Sequence, residues 1–232
     1  MDVRRVAALG FAAVSAGVAE DVRPPEGRAV EPLEERIRRV TSEPVEVVDY
    51  DPDWPGAFAR EKRHLLGCLP HGMVVRIEHF GSTAVSGLPA KPIVDVLVEV
   101  ADLEAVRADA VPILEAQGYE YFWCPTFGDD GGPFSAWFIK RDPRTGKRTH
   151  HVHMVESGFT VHWDRLLFRD YLIAHPDVAA DYGRLKRELA AEYPGRRVRY
   201  TEAKGDFIDR VTEVAKRGSD ERLEGNTPQE VA

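Results

Sequence analysis

The sequence predicts an α+β fold: a mixed β-sheet flanked by helices, with further helices closing the chain. Three observations carry this. Apolar, strand-like runs alternate with one helical segment in the first half; three more such runs follow in close succession; and the last third has helical spacing of its apolar residues. The chain has 232 residues, 43% hydrophobic and 30% charged, enough apolar mass for one full core.

The elements follow in order. "VEVVDY" (45–50) reads as a short strand. In "DPDWPGAFAREKRHLLGCL", Asp53 is a candidate cap, Pro55 suits a first turn, and Phe58, Leu65, Leu66 and Leu69 supply a buried stripe. "MVVRIEHF" (73–80) is a strand with Val75, Ile77 and His79 on one face and Arg76, Glu78 and Phe80 on the other. "PIVDVLVEV" (92–100) is apolar enough for a central strand. A helix starts at Asp102 and closes at Gly118, with Pro112 as a bend or a new start.

Runs at 119–124, 134–140 and 149–155 predict three antiparallel strands, with a Gly/Asp loop (128–133) and the hairpin turn "RDPRTGK" between them. Helices are expected over 162–174, 176–193 and 201–216. The folded unit is thus 45–217, preceded by an arm (1–44) that is partly disordered and carries one short helix, and followed by a disordered tail (218–232). The first 24 residues loosely mimic a secretory signal, but Asp2 sits in the would-be basic end and the apolar stretch is poor in Leu; a cytoplasmic protein is expected. No run is long enough to span a membrane. Cys68 and Cys124 have no metal-ligand spacing and read as free thiols.

A net charge of −8 argues against a long nucleic acid as partner, while leaving room for a local basic pocket. The turn Gly81-Ser82-Thr83 directly follows a strand. It is a simple cap or a phosphate-holding turn, since Gly lets a ligand approach and the hydroxyls can donate. Asp95 sits among Val and Leu, where an ionised carboxylate is costly unless it is paired or holds a cation. Lys91, Arg76 or a histidine are its candidate partners, and a divalent metal the alternative. In "THHVHMV", His151 and His153 share a strand face and are half-buried structural residues, metal ligands, phosphate binders or acid–base groups. His79 is expected in the core. Arg165 and Arg169 are one helical turn apart, an anion clamp or a pair of salt-bridge partners. Tyr200 and Lys204 are likewise one turn apart, facing a cleft or the surface.

Read together, "IEHFGSTAVSGLPAKPIVDVLV", "VVDYDPDWPGAF", "HHVHMV", "HWDRLLFRDYLIAHP" and the Tyr200–Ile208 segment resemble the signature of the GrpB family, within the nucleotidyltransferase superfamily. The matches run in order over about 45–211. The resemblance implies a nucleotidyltransferase-like sheet whose Gly-Ser turn, here Gly81 and Ser82, cradles nucleotide phosphates. It also implies a strand carrying Asp-x-Asp, here Asp95 followed by Leu97, and a neighbouring strand with a third acid, here occupied by His151 and His153. The second and third carboxylates of a two-magnesium site are therefore missing.

The expectation that follows is an enzyme of nucleotidyl transfer. It binds a nucleoside triphosphate with a divalent metal (Mg or Mn, or Zn) and passes a nucleotidyl group to a small-molecule acceptor. Asp95 holds the metal with His151 or His153, and His153 is ligand or base. Ser82 and Thr83 donate to phosphates, and Lys91, Arg165 and Lys204 neutralise charge. The alternatives are a catalytically silent nucleotide- or metabolite-binding module and, further off, a zinc-bound hydrolase on Asp95, His151 and His153.

Overall fold

The computed structural model describes residues 31–125 and 134–224. The signal-like start, the Gly/Asp loop and the last residues of the tail lie outside the described residues. One five-stranded sheet organises the rest, in the order β1 (Val74–Phe80), β2 (Val94–Val100), β5 (Arg148–Val155), β4 (Phe134–Arg141), β3 (Glu120–Pro125). Only the β2–β5 pair is parallel; β1–β2, β3–β4 and β4–β5 are antiparallel, so the sheet is mixed as expected.

β2 is central, and its residues separate by parity. Val94, Val96 and Val98 join Val152, Met154, Ala136 and Phe138 on one face. That face is covered by α2 (Trp54–Cys68) through Leu65 and Leu69, and by α3 (Leu103–Ala105) and α4 (Val111–Glu115). Val96, Leu97 and Val98 are wholly buried, each worth about 1.5–3 kcal/mol of transfer free energy. Leu97 points to the other face, among Phe80, Val155 and Phe159. Asp95 and Glu99 share that second face with Leu97. Glu99 is held by Arg76 at 3.2 Å, away from Asp95.

Several local expectations are corrected. Residues 45–50 form no strand; a single bridge, Val48 to Ala90, is what remains, because Pro89 and Pro92 flank the partner segment and stop the ladder. Asp53 makes no capping bond; its carboxylate pairs instead with Arg60 at 2.6 Å. The helix after Asp102 is interrupted by a π turn, Val106–Ala110, just before Pro112. Proline has no N–H to donate, and the wider turn accommodates the missing bond. A β-bulge between Val74 and Arg76 breaks the alternation of β1, leaving Val75 exposed while Ile77 is buried.

The closing helices are α5 (Thr160–Ala174), α6 (Pro176–Glu192), α7 (Arg197–Ala203) and α8 (Gly205–Glu224). The helix expected over 201–216 is two helices that meet at Lys204, and α8 continues beyond Gly218. From the arm, α1 (Leu33–Ser42) packs Val40 against Phe122, Trp137 and Ile139. Arg148 on β5 fastens it, donating to the Val40 carbonyl at 2.6 Å and to Glu43 at 2.5 Å. On the opposite face, buried Glu61 of α2 accepts from the Tyr119 hydroxyl and the Lys140 ammonium, which satisfies an otherwise costly buried charge. Among the described residues, no helix is long and apolar enough to cross a membrane.

Candidate functional site

Gly81 ends β1 with φ +73° and ψ −172°, a conformation open to glycine and strained for other residues. A Cβ there would lie 2.5 Å from the Asp95 Oδ2, so the absence of a side chain lets the turn close directly over the carboxylate. Ser82–Ala84 then form one 3₁₀ turn. Phe80 is the cross-strand partner of Asp95, which places the turn beside the acid through sheet register alone.

Around this point lies a pocket of about 330 Å³ between the sheet and α5–α8. Its wall holds Gly81, Ser82, Thr83, Lys91, Asp95, Arg165 and Lys204, so seven residues singled out from sequence converge on one cavity. Thr83 is nearly inaccessible and its Oγ1 lies 3.0 Å from the His79 Nε2. Its hydroxyl is thereby committed, while the Ser82 hydroxyl is hydrogen-bonded to the Tyr182 phenol in the pocket wall. His79 is half-buried and stacks on Phe58 at 4.7 Å; burial lowers it to about 4, so it is neutral at pH 7.

Asp95 and His151 are paired across β2 and β5, with His151 Nδ1 3.3 Å from Asp95 Oδ1. The other ring nitrogen, Nε2, lies 3.3 Å from Arg148 Nη1. Arginine can only donate, so Nε2 accepts and Nδ1 carries the proton toward Asp95. Burial lowers His151 to about 4 and His153 to about 3, the latter helped by the Arg165 charge. Burial works to raise the Asp95 carboxyl, but the His151 hydrogen bond and the positive neighbours outweigh it and hold it below the usual carboxylate range. With both imidazoles neutral, the N–H donation is the part of that effect that persists at pH 7.

Asp95, His151 and His153 present ligand atoms within 4.8 Å of one another. The two histidines sit behind Asp95 rather than in the pocket wall. His153 is packed edge-on to Phe80 at 5.4 Å. The position that would carry a second acid is Leu97, opposite His153 in the parallel register and packed in an apolar cluster with Phe80, Val155 and Phe159.

The cations divide into two groups. Lys91, Arg165, Lys186 and Lys204 line the pocket, and none has an ion pair among the described residues. Arg169 takes the salt-bridge alternative, pairing with Asp170 at 2.7 Å and Glu78 at 3.3 Å and donating to the His79 carbonyl at 2.7 Å. Burial, reinforced by mutual repulsion, lowers Lys204 to about 8, Lys186 to about 6 and Lys91 well below its usual range. The far side of the pocket is acidic, with Asp164, Asp209 and Glu213; Lys216 pairs with Asp164 at 2.7 Å.

Lys186, Tyr182 and Phe168 are pocket residues that sequence reasoning passed over. Lys186 had a signal: Ala179, Tyr182, Lys186 and Leu189 follow helical spacing on the buried face of α6, so the lysine interrupts an inward stripe.

A family model described as "GrpB protein" matches residues 44–214. The chain is 38% identical to the UPF0157 protein YqkA of Bacillus subtilis over 183 residues, covering 78% of this chain and 50% of that protein. It therefore spans half the length of that relative. It is 35% identical to the glutamate-rich protein GrpB of Alkalihalophilus pseudofirmus, over 71% of this chain and 92% of that protein. Among solved structures, the conserved protein GrpB from Enterococcus faecalis superimposes with a TM-score of 0.65 at 35% identity, over 75% of this chain and 99% of that one.

Proposed function

The chain belongs to the GrpB family, and from that premise we propose that it binds a nucleoside triphosphate with a divalent metal and transfers a nucleotidyl group to a small-molecule acceptor. One observation carries the reading: four basic side chains without ion-pair partners among the described residues, Lys91, Arg165, Lys186 and Lys204, share a pocket with Asp95 and the Gly81–Thr83 turn, while the other acids line its far side. Such an excess of positive charge in a desolvated cleft calls for a polyanion. Arg165 and Lys204 face its phosphates, and Ser82 donates a hydroxyl hydrogen bond.

The donor set tests the metal. One carboxylate and two neutral imidazoles suit Mn or Zn better than Mg, which prefers oxygen. Asp95 with His153 would hold the ion, and His151 would join by shifting its proton from Nδ1 to Nε2, at the cost of the hydrogen bond from Arg148. Bound there, the ion would polarise a phosphoryl oxygen. In the transfer, the acceptor oxygen bonds to the α-phosphorus, the bond to pyrophosphate breaks, and the hydroxyl proton leaves to water. His153, at about 3, is too weak a base for that proton at pH 7 and serves as a ligand.

The buried Leu97 favours a second reading, binding without transfer, because the place of a second acid is filled by packing. Calorimetry with nucleoside triphosphates, crossed with Mg, Mn and Zn, tests binding; pyrophosphate release tests transfer. The first reading expects both, with Asp95→Asn losing release. Binding without release leaves the second, and no binding of any triphosphate removes both.

A further inference from the structure

Lys91 and Lys204 stand against the same aromatic ring. Their Nζ atoms lie 5.7 and 4.5 Å from the centroid of Tyr200. Neither has a carboxylate partner within ion-pair distance among the described residues. Tyr200 is 1% exposed and lines the pocket, and among the described residues its hydroxyl has no hydrogen-bond partner. An amine beside a second cation in a water-poor cleft is the setting in which lysine becomes a nucleophile.

We propose that Lys91 is a nucleophilic amine and that the pocket takes a small phosphorylated aldehyde or ketone as an imine on its Nζ. The groups facing Lys91 favour the uncharged amine. Burial is the main cause; Lys204, Arg197 and Arg148 repel its proton as well, and Asp95 attracts it. The ligand's anionic end rests on the phosphate reading above; its carbonyl end rests on the two lysines. The Nζ lone pair attacks the carbonyl carbon and a C–N bond forms. One amine proton passes to the carbonyl oxygen to give the carbinolamine; a second proton then reaches that oxygen as the C–O bond breaks and water leaves, and the remaining N–H proton replaces the one donated, giving the neutral imine. No oxidant or reductant enters. Tyr200, whose hydroxyl burial keeps protonated, is placed in the same wall to supply the proton for the departing water.

Pyridoxal 5′-phosphate is the probe, added at low stoichiometry at pH 7 and fixed by borohydride, which delivers hydride to the imine carbon. Peptide mapping should find the label on Lys91, and inorganic tripolyphosphate should suppress it. Lys91→Arg, which keeps a long basic side chain but offers no nucleophilic amine, should abolish labelling in a protein whose circular dichroism is unchanged. Lys204→Met relieves the repulsion, so labelling of Lys91 at pH 7 should fall by about tenfold for each unit by which its pKa comes to exceed 7. Label scattered over exposed lysines such as Lys147, at a yield unchanged in Lys91→Arg, overturns the proposal. Unphosphorylated pyridoxal labelling Lys91 equally, with no protection by tripolyphosphate, upholds the amine and overturns the phosphate reading.

Discussion

Asp95 and His151 face each other across the one parallel strand pair of the sheet, joined by a 3.3 Å contact between Oδ1 and Nδ1. The far side of the imidazole rests on Arg148, which also grips Glu43 and the Val40 carbonyl at the end of α1. One arginine thus sets the tautomer of a candidate ligand and docks the arm. Arg148→Met should let His151 exchange its Nδ1–H for the Nε2–H form, read from imidazole nitrogen shifts, and should speed amide exchange in α1. Unchanged nitrogen shifts would separate Arg148 from the site.

Gly81→Ala places a methyl against the Asp95 carboxylate in a backbone region that only glycine occupies freely. The strain alone should cost about 1–3 kcal/mol, with the contact adding to it. Urea unfolding measures this. A loss under about 0.5 kcal/mol, the usual range for neutral surface changes, would mean the turn opens at little cost.

Glu61→Ala leaves Lys140 and the Tyr119 hydroxyl without their shared acceptor. Removing one partner of a buried ion pair should destabilise by about 3–5 kcal/mol. Glu61→Gln keeps an acceptor and should fall well short of that. Equal losses in the two variants would show that shape, and not charge, is what α2 requires there.

Lys186 makes stability depend on pH. Its amine donates to the Pro89 carbonyl, and burial followed by the Lys204 and Arg187 charges lowers it to about 6, against the pull of Asp95. Between pH 6 and its ordinary value the unfolded lysine holds a proton that the folded one lacks. Stability therefore rises with pH across that window, approaching about 1.4 kcal/mol per unit from this group. Urea melts from pH 6.5 to 9 should show a slope that Lys186→Met removes. Parallel slopes in the two proteins would assign the dependence elsewhere.

Much of this was legible from residue order, because strand parity is a strict rule. Alternation in "IVDVLV" put Asp95 on the face opposite its valines, and "HHVHMV" put His151 and His153 together. Register then brought the two strands side by side. What resisted reading depended on partners far along the chain. Arg169 looked as available as Arg165 until the packing of α5 on β1 set it against Glu78. Residues 45–50 have strand composition, yet their partner segment is flanked by prolines and supports one bridge. Lys186 drew no reading, because a lysine on an inward stripe has meaning only once the opposite wall is known.

The parallel placement of β2 beside β5 also fixes when the site can assemble. β1 with β2, and β3 with β4 and β5, join neighbouring segments and close short loops. Joining β2 to β5 closes a loop containing α3, α4, β3 and β4, an entropic penalty larger than for either hairpin and unrewarded until the strands meet. That order predicts that Asp95 and His151 come together late in folding, after both halves of the sheet exist, and that a ligand requiring both will register only the finished protein.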